Sequence, residues 1–486
     1  MLKIDPGSRQ ALYSTAATRQ IEYSAQAGLP AHTLMQRAGL AVAQLALALA
    51  PHGQRIWLAC GPGNNGGDGL EAAMHLKRWG KLPSVTWLGS PDKSPPDAVI
   101  SYQRALAAGV AFAETAPLNC DLCVDALLGI GTNLREPEGR MTDWIKAMNA
   151  SAVPVLAVDL PTGLRANTGV AAQHTVKARH TLSLLTLKPG LFTADGRDVA
   201  GTVWLDQLGV VQSGAAEHAL SAPVAWLAGA PVAKARQHAS HKGSYGDVAV
   251  VGGATGMTGA ALLAASAALH AGAGRVFVGL LDGDTLSVDS RQPELMFRPV
   301  NTLDFRTMTV VCGCGGGDAI RNPLPELVSA SAQLVIDADA LNAVANDTQL
   351  QTLLVARGKR LAATVLTPHP LEAARMLGCT ASQVQHDRLE AARQLAERFG
   401  CTVVLKGSGT VVAALGETPV INSTGNARLA TAGTGDVLAG MVGAGMAAGL
   451  AAFQAACAAV YRHGQLADQW PNGGLPLSAG TLSQVV

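Results

Sequence analysis

Arg55-Ile56-Trp57-Leu58-Ala59-Cys60-Gly61-Pro62-Gly63-Asn64-Asn65-Gly66-Gly67-Asp68-Gly69 reads as a short apolar strand running into a glycine turn, with a helix over Leu70 to Trp79. Strand, tight turn and helix in that order open a βαβ unit. The turn aims bare backbone N–H groups and the positive end of a helix at an anion. A second turn of this kind, Ala432-Gly433-Thr434-Gly435-Asp436, is expected to follow a strand and to open a helix of small residues. Two such turns predict two sites for phosphate-bearing ligands.

Either side of the first turn, helices and strands alternate. An apolar-periodic helix spans Leu34 to Leu49, and strands are predicted at Ser84 to Leu88, Leu122 to Ala126, Val153 to Val158, Thr181 to Thr186 and Thr202 to Leu205. Alternation implies a mainly parallel sheet, with ligands gathered at its strand carboxyl ends. Gly61–Asp68, Asp125–Gly131 and Asp159–Gly163 all fall there. Periodicity and charge fade between Val211 and Pro223, which places a linker there and domains at 1–212 and 223–486. The second half restarts with the turn His241–Gly246 and a strand over Asp247 to Val251. Further strands are predicted at Arg275 to Leu280, Thr309 to Cys312, Leu334 to Ile336, Ala363 to Leu366 and Thr402 to Leu405.

The chain has 486 residues, more than one ordinary core, and two or three domains are expected. A formal net charge of +1 without a basic block gives no support to nucleic-acid or membrane-surface binding. Val437 to Tyr461 is uncharged and long enough to span a bilayer, with Gly445 and Gly449 as a GxxxG pair. Its Ala and Gly content and its place behind a phosphate-type turn favour buried helices instead. The start, Met1 to Pro6, carries an early acid and a proline where a signal peptide needs an apolar run. Cys120-Asp121-Leu122-Cys123 is the one CxxC among eight cysteines, and nothing completes a zinc site around it. Reduced thiols and a cytoplasmic location are expected.

Gly61–Gly69 lacks both the P-loop ending and the dinucleotide fingerprint. Its adjacent amides can coordinate a cation and bond a ribose or phosphate, and Asp68 adds an acceptor. Asp125 and Asp159 each end an apolar strand. Asn65, Asp125 and Thr162 supply oxygen ligands suited to a hard cation. The ordered set GPGNNGGDG, VDALLGIGTNLRE and AVDLPTGL, with Leu34–Gly39 before it, resembles the NAD(P)H-hydrate epimerase family over most of residues 10–210. The resemblance implies a Rossmann-like three-layer domain. It also implies hydrate contacts from Asn64, Asn65, Gly66, Gly67, Asp68, Gly129, Ile130, Gly131, Thr132, Asn133, Leu134 and Arg135. Asn65, Asp125 and Thr162 would hold potassium, and Asp159 would touch the substrate and handle the proton of the epimerisation.

In the second half, Thr434-Gly435-Asp436 puts a carboxylate in the first turn of a helix whose N–H groups face an incoming phosphate. The helix end favours the ionised acid by roughly 0.3–1 kcal/mol. Positioning a hydroxyl against a phosphoryl group can supply of order 7–11 kcal/mol. Leu405–Thr410, Asp337–Asn342 and Thr367–Glu372 each end a predicted strand with polar residues. The stretches KGSYGDVAVVGGATGMTGAALLAASAALHAGAG, DADALN, LTPHPLEAARML, VLKGSGTVV and NARLATAGTGDVLAG resemble the ribokinase-like ADP- or ATP-dependent NAD(P)H-hydrate dehydratases over most of residues 235–475. That implies an α/β ribokinase-like domain in which Ala261, Gly317, His369 and Asp436 contact the hydrate. Lys406, Gly407, Ser408, Gly409, Thr410 and Gly435 would bind ADP or ATP with Mg²⁺, and Asp436 would be the catalytic base. Where that family has GPGLG, this chain has Gly313-Cys314-Gly315-Gly316-Gly317.

The two resemblances imply a lyase and an isomerase in one polypeptide. The first half would epimerise the R and S hydrates of NADH and NADPH. The second would dehydrate the S form, with ADP favoured over ATP as donor. A homo-oligomer is expected, without nucleic-acid or membrane partners. The rival expectation is a kinase of a small alcohol whose N-terminal half is a regulatory nucleotide-binding module.

Overall fold

The strand Arg55–Cys60 forms with those bounds at the centre of a sheet in the computed structural model, which describes residues 1–131, 136–210, 222–232, 237–283, 285–471, 473 and 475–486. The sheet runs Leu2–Lys3, Thr202–Asp206, His180–Leu184, Val155–Val158, Leu122–Ala126, Arg55–Cys60, Leu82–Trp87 and Ala111–Ala113. Every pairing is parallel except that of Leu2–Lys3 with Thr202–Asp206. The central strands read as unbroken apolar runs because both faces are covered. Leu58, Val124, Leu156 and Leu182 have no exposed surface.

The helix after the first turn is Asn64–Arg78, so it starts inside the glycine run and not at Leu70 as the periodicity predicts. Glycine is a poor helix former, which hides the first turn from a propensity reading. Close packing requires it. A Cβ on Gly61 would lie 1.8 Å from the Leu127 carbonyl oxygen, and one on Gly66 would lie 2.0 Å from that of Gly61. From Arg55–Cys60 the chain builds outward to Ala111–Ala113, then crosses back to Leu122–Ala126 and builds the other way. The sheet therefore reverses direction between those two central strands. A crevice opens at their carboxyl ends, where α/β sheets bind ligands.

By contact, the chain divides into Met1–Asp5 with Gln10–Ala225, and Pro6–Arg9 with Trp226–Val486. The expected linker lies mostly outside the described residues.

The second unit repeats the plan. Its parallel strands are ordered Met296–Phe297, Arg275–Leu280, Asp247–Gly252, Thr309–Cys312, Gln333–Ile336, Thr364–Leu366 and Thr402–Leu405. Val411–Ala413 and Val420–Ile421 extend it antiparallel, and Ala225–Leu227 pairs parallel with the latter. The reversal here falls between Asp247–Gly252 and Thr309–Cys312. The second glycine turn departs from expectation, since the segment before it is the 3-10 turn Ala427–Leu429 and not a strand. Val437 to Tyr461 divides between two helices, Thr434–Ala447 and Ala452–Asp468. Among the described residues, no helix is long and apolar enough to cross a membrane. Gly440 lets the first of these helices press on Thr258–His270, because a Cβ there would stand 2.0 Å from the Ala264 carbonyl oxygen.

Candidate functional sites

The crevice of the first unit is a cavity of about 810 Å³. Asn64, Asn65 and Asp68 reach it from the helix Asn64–Arg78, and Gly129, Ile130 and Gly131 from the turn after Leu122–Ala126. Gly66 and Gly67 are buried beneath it, and a Cβ on Gly67 would lie 2.6 Å from the Met35 sulfur. Thr132, Asn133, Leu134 and Arg135 lie outside the described residues.

Asp159 enters from the carboxyl end of Val155–Val158, in a left-handed backbone at φ 66°. An aspartate tolerates that region better than most residues. Its Oδ1 pairs with the Nζ of Lys188, and its Oδ2 accepts from the Ile130 N–H at 3.3 Å. Lys188 has no exposed surface and also donates to the Leu184 carbonyl at 2.8 Å and to Ser183 Oγ at 3.2 Å. Sequence reasoning missed Lys188. Its signal was a lone lysine in the otherwise uncharged LSLLTLKPG.

Asp125 is fully buried. Its Oδ1 accepts from Thr162 Oγ1 at 2.7 Å and from the Leu127 N–H at 3.2 Å, and its Oδ2 from the Thr162 N–H at 2.8 Å. Burial outweighs these bonds and pushes its carboxyl up to about 6. Asn65 faces Gly129, where a Cβ would meet Asn65 Oδ1 at 3.1 Å and Asp159 Oδ2 at 3.2 Å. The Asn65 amide nitrogen is buried without a hydrogen-bond partner. Asp68 is held well above the ordinary carboxylate range, by burial first and then by Asp159, Glu22, Glu71 and Asp97. The wall also carries Arg19, Glu22, Lys93 and Asp97, none of them singled out by sequence. Arg19 donates to the Ile130 carbonyl at 3.0 Å.

In the second unit Asp436 lies in the first turn of Thr434–Ala447, whose N-cap Gly433 takes φ 90°. Burial, then the Asp337 carboxylate, push Asp436 up to about 7, against the Cys314 thiol that hydrogen-bonds it and the Lys406 ammonium. Lys406 Nζ pairs with Asp337 Oδ1 at 2.7 Å, and Thr367 Oγ1 donates to the same oxygen at 2.7 Å. Burial opposes the charge on Lys406, yet Asp337 and Glu372 hold it above its ordinary value. A Cβ on Gly435 would stand 3.3 Å from that ammonium. Lys406 and Gly435 thus converge beside Asp436.

Gly407 and Gly409 turn the chain after Thr402–Leu405 at φ 129° and 61°, and Thr410 Oγ1 donates back to the Gly407 carbonyl at 3.0 Å. Ser408 lies within this turn. Buried Arg388 supports it from below, donating to the Leu405 and Lys406 carbonyls at 3.1 and 3.2 Å. His369 caps the helix Pro370–Leu377 through Nδ1 and leaves Nε2 3.3 Å from Glu372 Oε1. Burial lowers the His369 imidazole, with Lys406 adding to it, and burial raises Glu372 to about 7. Gly317 takes φ 50° and donates its N–H to Asp339 Oδ2 at 2.9 Å. Ala261 has no exposed surface and packs under the turn at Gly253, where a Cβ would meet its own at 3.1 Å.

A family model described as NAD(P)H-hydrate dehydratase matches residues 248–484, and one described as YjeF-related protein N-terminus matches residues 31–190. The chain is 36% identical over 462 residues to the bifunctional NAD(P)H-hydrate repair enzyme Nnr of Escherichia coli (strain K12), covering 91% of this chain and 85% of that protein. It is 46% identical over 246 residues to the ADP-dependent (S)-NAD(P)H-hydrate dehydratase of Neisseria meningitidis serogroup B, covering 49% of this chain and 81% of that one. A solved structure of the ADP/ATP-dependent NAD(P)H-hydrate dehydratase from Bacillus subtilis, co-crystallized with ATP/Mg²⁺, is 30% identical, with a TM-score of 0.45 over 52% of this chain and 91% of that chain.

Proposed function

This chain belongs to the bifunctional NAD(P)H-hydrate repair enzymes, and from that premise we propose how its two sites divide the repair. It is an NAD(P)HX epimerase and an ADP- or ATP-dependent NAD(P)HX dehydratase. The epimerase is assigned to the 1–212 half and the dehydratase to the 223–486 half. The observation that carries this division is the pair of carboxylates, Asp159 on buried Lys188 and Asp436 at a helix N-terminus beside Lys406.

In the first site Asn64, Asn65, Asp68 and Gly129–Gly131 bind the damaged dinucleotide. Gly66 and Gly67 support that face from beneath. Asp159 touches the substrate and handles the proton of the epimerisation: the departing hydroxyl gains a proton and leaves as water, and water that adds to the other face of the ring gives a proton back. Lys188 fixes that carboxylate and keeps its charge compensated. Asn65, Asp125 and Thr162 are assigned to potassium. The oxygen donors are hard, and Asp125 has one lone-pair site beyond the three donors it already accepts. Potassium would supply a fixed positive charge near the nucleotide.

In the second site Lys406–Thr410 and Gly435 bind the nucleotide, while Gly317, His369 and Asp436 face the hydrate and Ala261 packs beneath. Asp436 takes the proton of the 6-hydroxyl, whose oxygen attacks the terminal phosphate. Nucleoside diphosphate leaves as monophosphate when ADP is the donor. Loss of phosphate from carbon 6 and of a proton from carbon 5 restores the dihydronicotinamide. Mg²⁺ would accompany the nucleotide and spread the phosphate charge. The eight free cysteines support a reducing compartment, the cytoplasm. A homo-oligomer is proposed and is read by light scattering.

The test is incubation of the protein with hydrated NADH and either ADP or ATP. Recovery of reduced-nicotinamide absorbance, matched by inorganic phosphate, is expected. Phosphate accumulating on a stable ester without that recovery would mean a kinase instead.

A further inference from the structure

We propose that Cys314, Asp337 and Asp436 form a binding site for one thiophilic divalent cation of the Zn²⁺ class, whose occupation arrests the dehydratase half. The Cys314 sulfur and one carboxylate oxygen from each aspartate lie within 4.8 Å of one another. Tetrahedral zinc, with bonds of about 2.0–2.3 Å, holds its ligand atoms somewhat under 4 Å apart. Closing on an ion would require shifts of about 1 Å at the side-chain tips. Cys314 has no exposed surface and Asp337 is 1% exposed, while Asp436 is half-buried and leaves an entry path.

Two further observations point to a cation. Asp337 spends Oδ1 on Lys406 and Thr367, whereas its Oδ2 faces only the Cys314 sulfur, at 4.0 Å. A buried carboxylate oxygen is therefore aimed into the cluster with no stronger partner described. Lys406 is paired with Asp337, and Asp436 has no ion pair among the described residues. Lys406 neutralises Asp337, and a divalent ion would supply the counter-charge that an ionised Asp436 lacks. The location follows from the fold, because Cys314 sits at the sheet reversal with its carbonyl accepting from the Gly253 N–H at 3.0 Å.

The sulfur sets the selectivity. Mg²⁺ prefers oxygen and retained water, whereas thiolate ligands favour zinc. Binding exchanges the thiol proton for the metal: the S–H bond breaks, the S–metal bond forms and H⁺ leaves to solvent. The bound ion takes the carboxylate that removes the hydrate proton. That consequence rests on the reading of Asp436 as dehydratase base, while the binding itself does not.

The full chain is titrated with Cd²⁺, following thiolate-to-metal absorption, and with Zn²⁺, following epimerase and dehydratase rates separately. One Cd²⁺ per chain is expected, with the absorption lost in both Cys314→Ala and Cys314→Ser. Zn²⁺ is expected to lower the dehydratase rate and spare the epimerase. Each variant should need at least about tenfold more Zn²⁺ for the same fractional loss of its own zinc-free rate. Absence of the absorption overturns the site even if no dehydratase activity can be measured. Equal zinc sensitivity in the variants also overturns it, because the ion then acts on the nucleotide or elsewhere.

Discussion

Asp436 and Asp159 do opposite things with a buried negative charge. Asp436 has no ion pair among the described residues, and its carboxyl is raised to about 7. As the proposed base Asp436 acts in its ionised form, so kcat/KM for the S hydrate should fall as pH drops below about 7 and level off above it. Asp436→Asn should cost about 10²–10⁴-fold in that rate and leave R-to-S conversion unchanged, measured on the two steps separately. Asp159 instead rests on Lys188. Lys188→Met strands a buried carboxylate and should destabilise the first unit by about 3–5 kcal/mol in urea unfolding. Asp159→Asn keeps a residue that tolerates the left-handed backbone but leaves the buried Lys188 ammonium without its counter-charge, so it should abolish epimerisation and destabilise the first unit by a comparable amount, about 3–5 kcal/mol. Asp159 was legible because it ends an apolar strand before a Pro-Thr-Gly turn. Lys188 and Cys314 were not, because their partners come from other strand ends and no local spacing links them.

The two central turns show what glycine does at this level. Gly61 and Gly66 let the helix Asn64–Arg78 start almost on the sheet, which brings its N–H groups to the cavity floor. Gly66→Ala should therefore displace the helix, costing about 3 kcal/mol or more and the epimerase activity with it. A melt showing no change would refute the close approach. The strand–turn–helix order was legible from the apolar run and the glycines. The helix start was not, because propensity counts glycine against a helix that packing selects it for. The short strands Val411–Ala413 and Val420–Ile421 went unread for a related reason. At two or three residues they carry no periodicity, and pairing alone defines them.

Each unit carries its own sheet, its own reversal and its own carboxylate. The product of one reaction is the substrate of the other, so two crippled chains should complement each other. Asp159→Asn mixed with Asp436→Asn should repair R hydrate that neither repairs alone, read as recovered reduced nicotinamide. Failure of the mixture, with each intact half active on its own hydrate, would mean that the intermediate does not pass through solution. Fading periodicity after Val211 predicts a linker that lies mostly outside the described residues. The assignment of Pro6–Arg9 to the second unit was not legible, since contacts and not local pattern decide it.

Asp125 at about 6, with Glu372 and Asp436 at about 7, all titrate above ordinary carboxyls. A folded-state value raised in this way contributes stability that is full below the unfolded value and lost as pH rises through the folded one. The melting temperature should therefore decline between about pH 4 and pH 7, and Asp436→Asn should flatten that slope. These acids are small proton stores that exist only while the chain is folded. Thermal unfolding near neutrality should discharge them into the medium, so its calorimetric heat should depend on the ionisation enthalpy of the buffer.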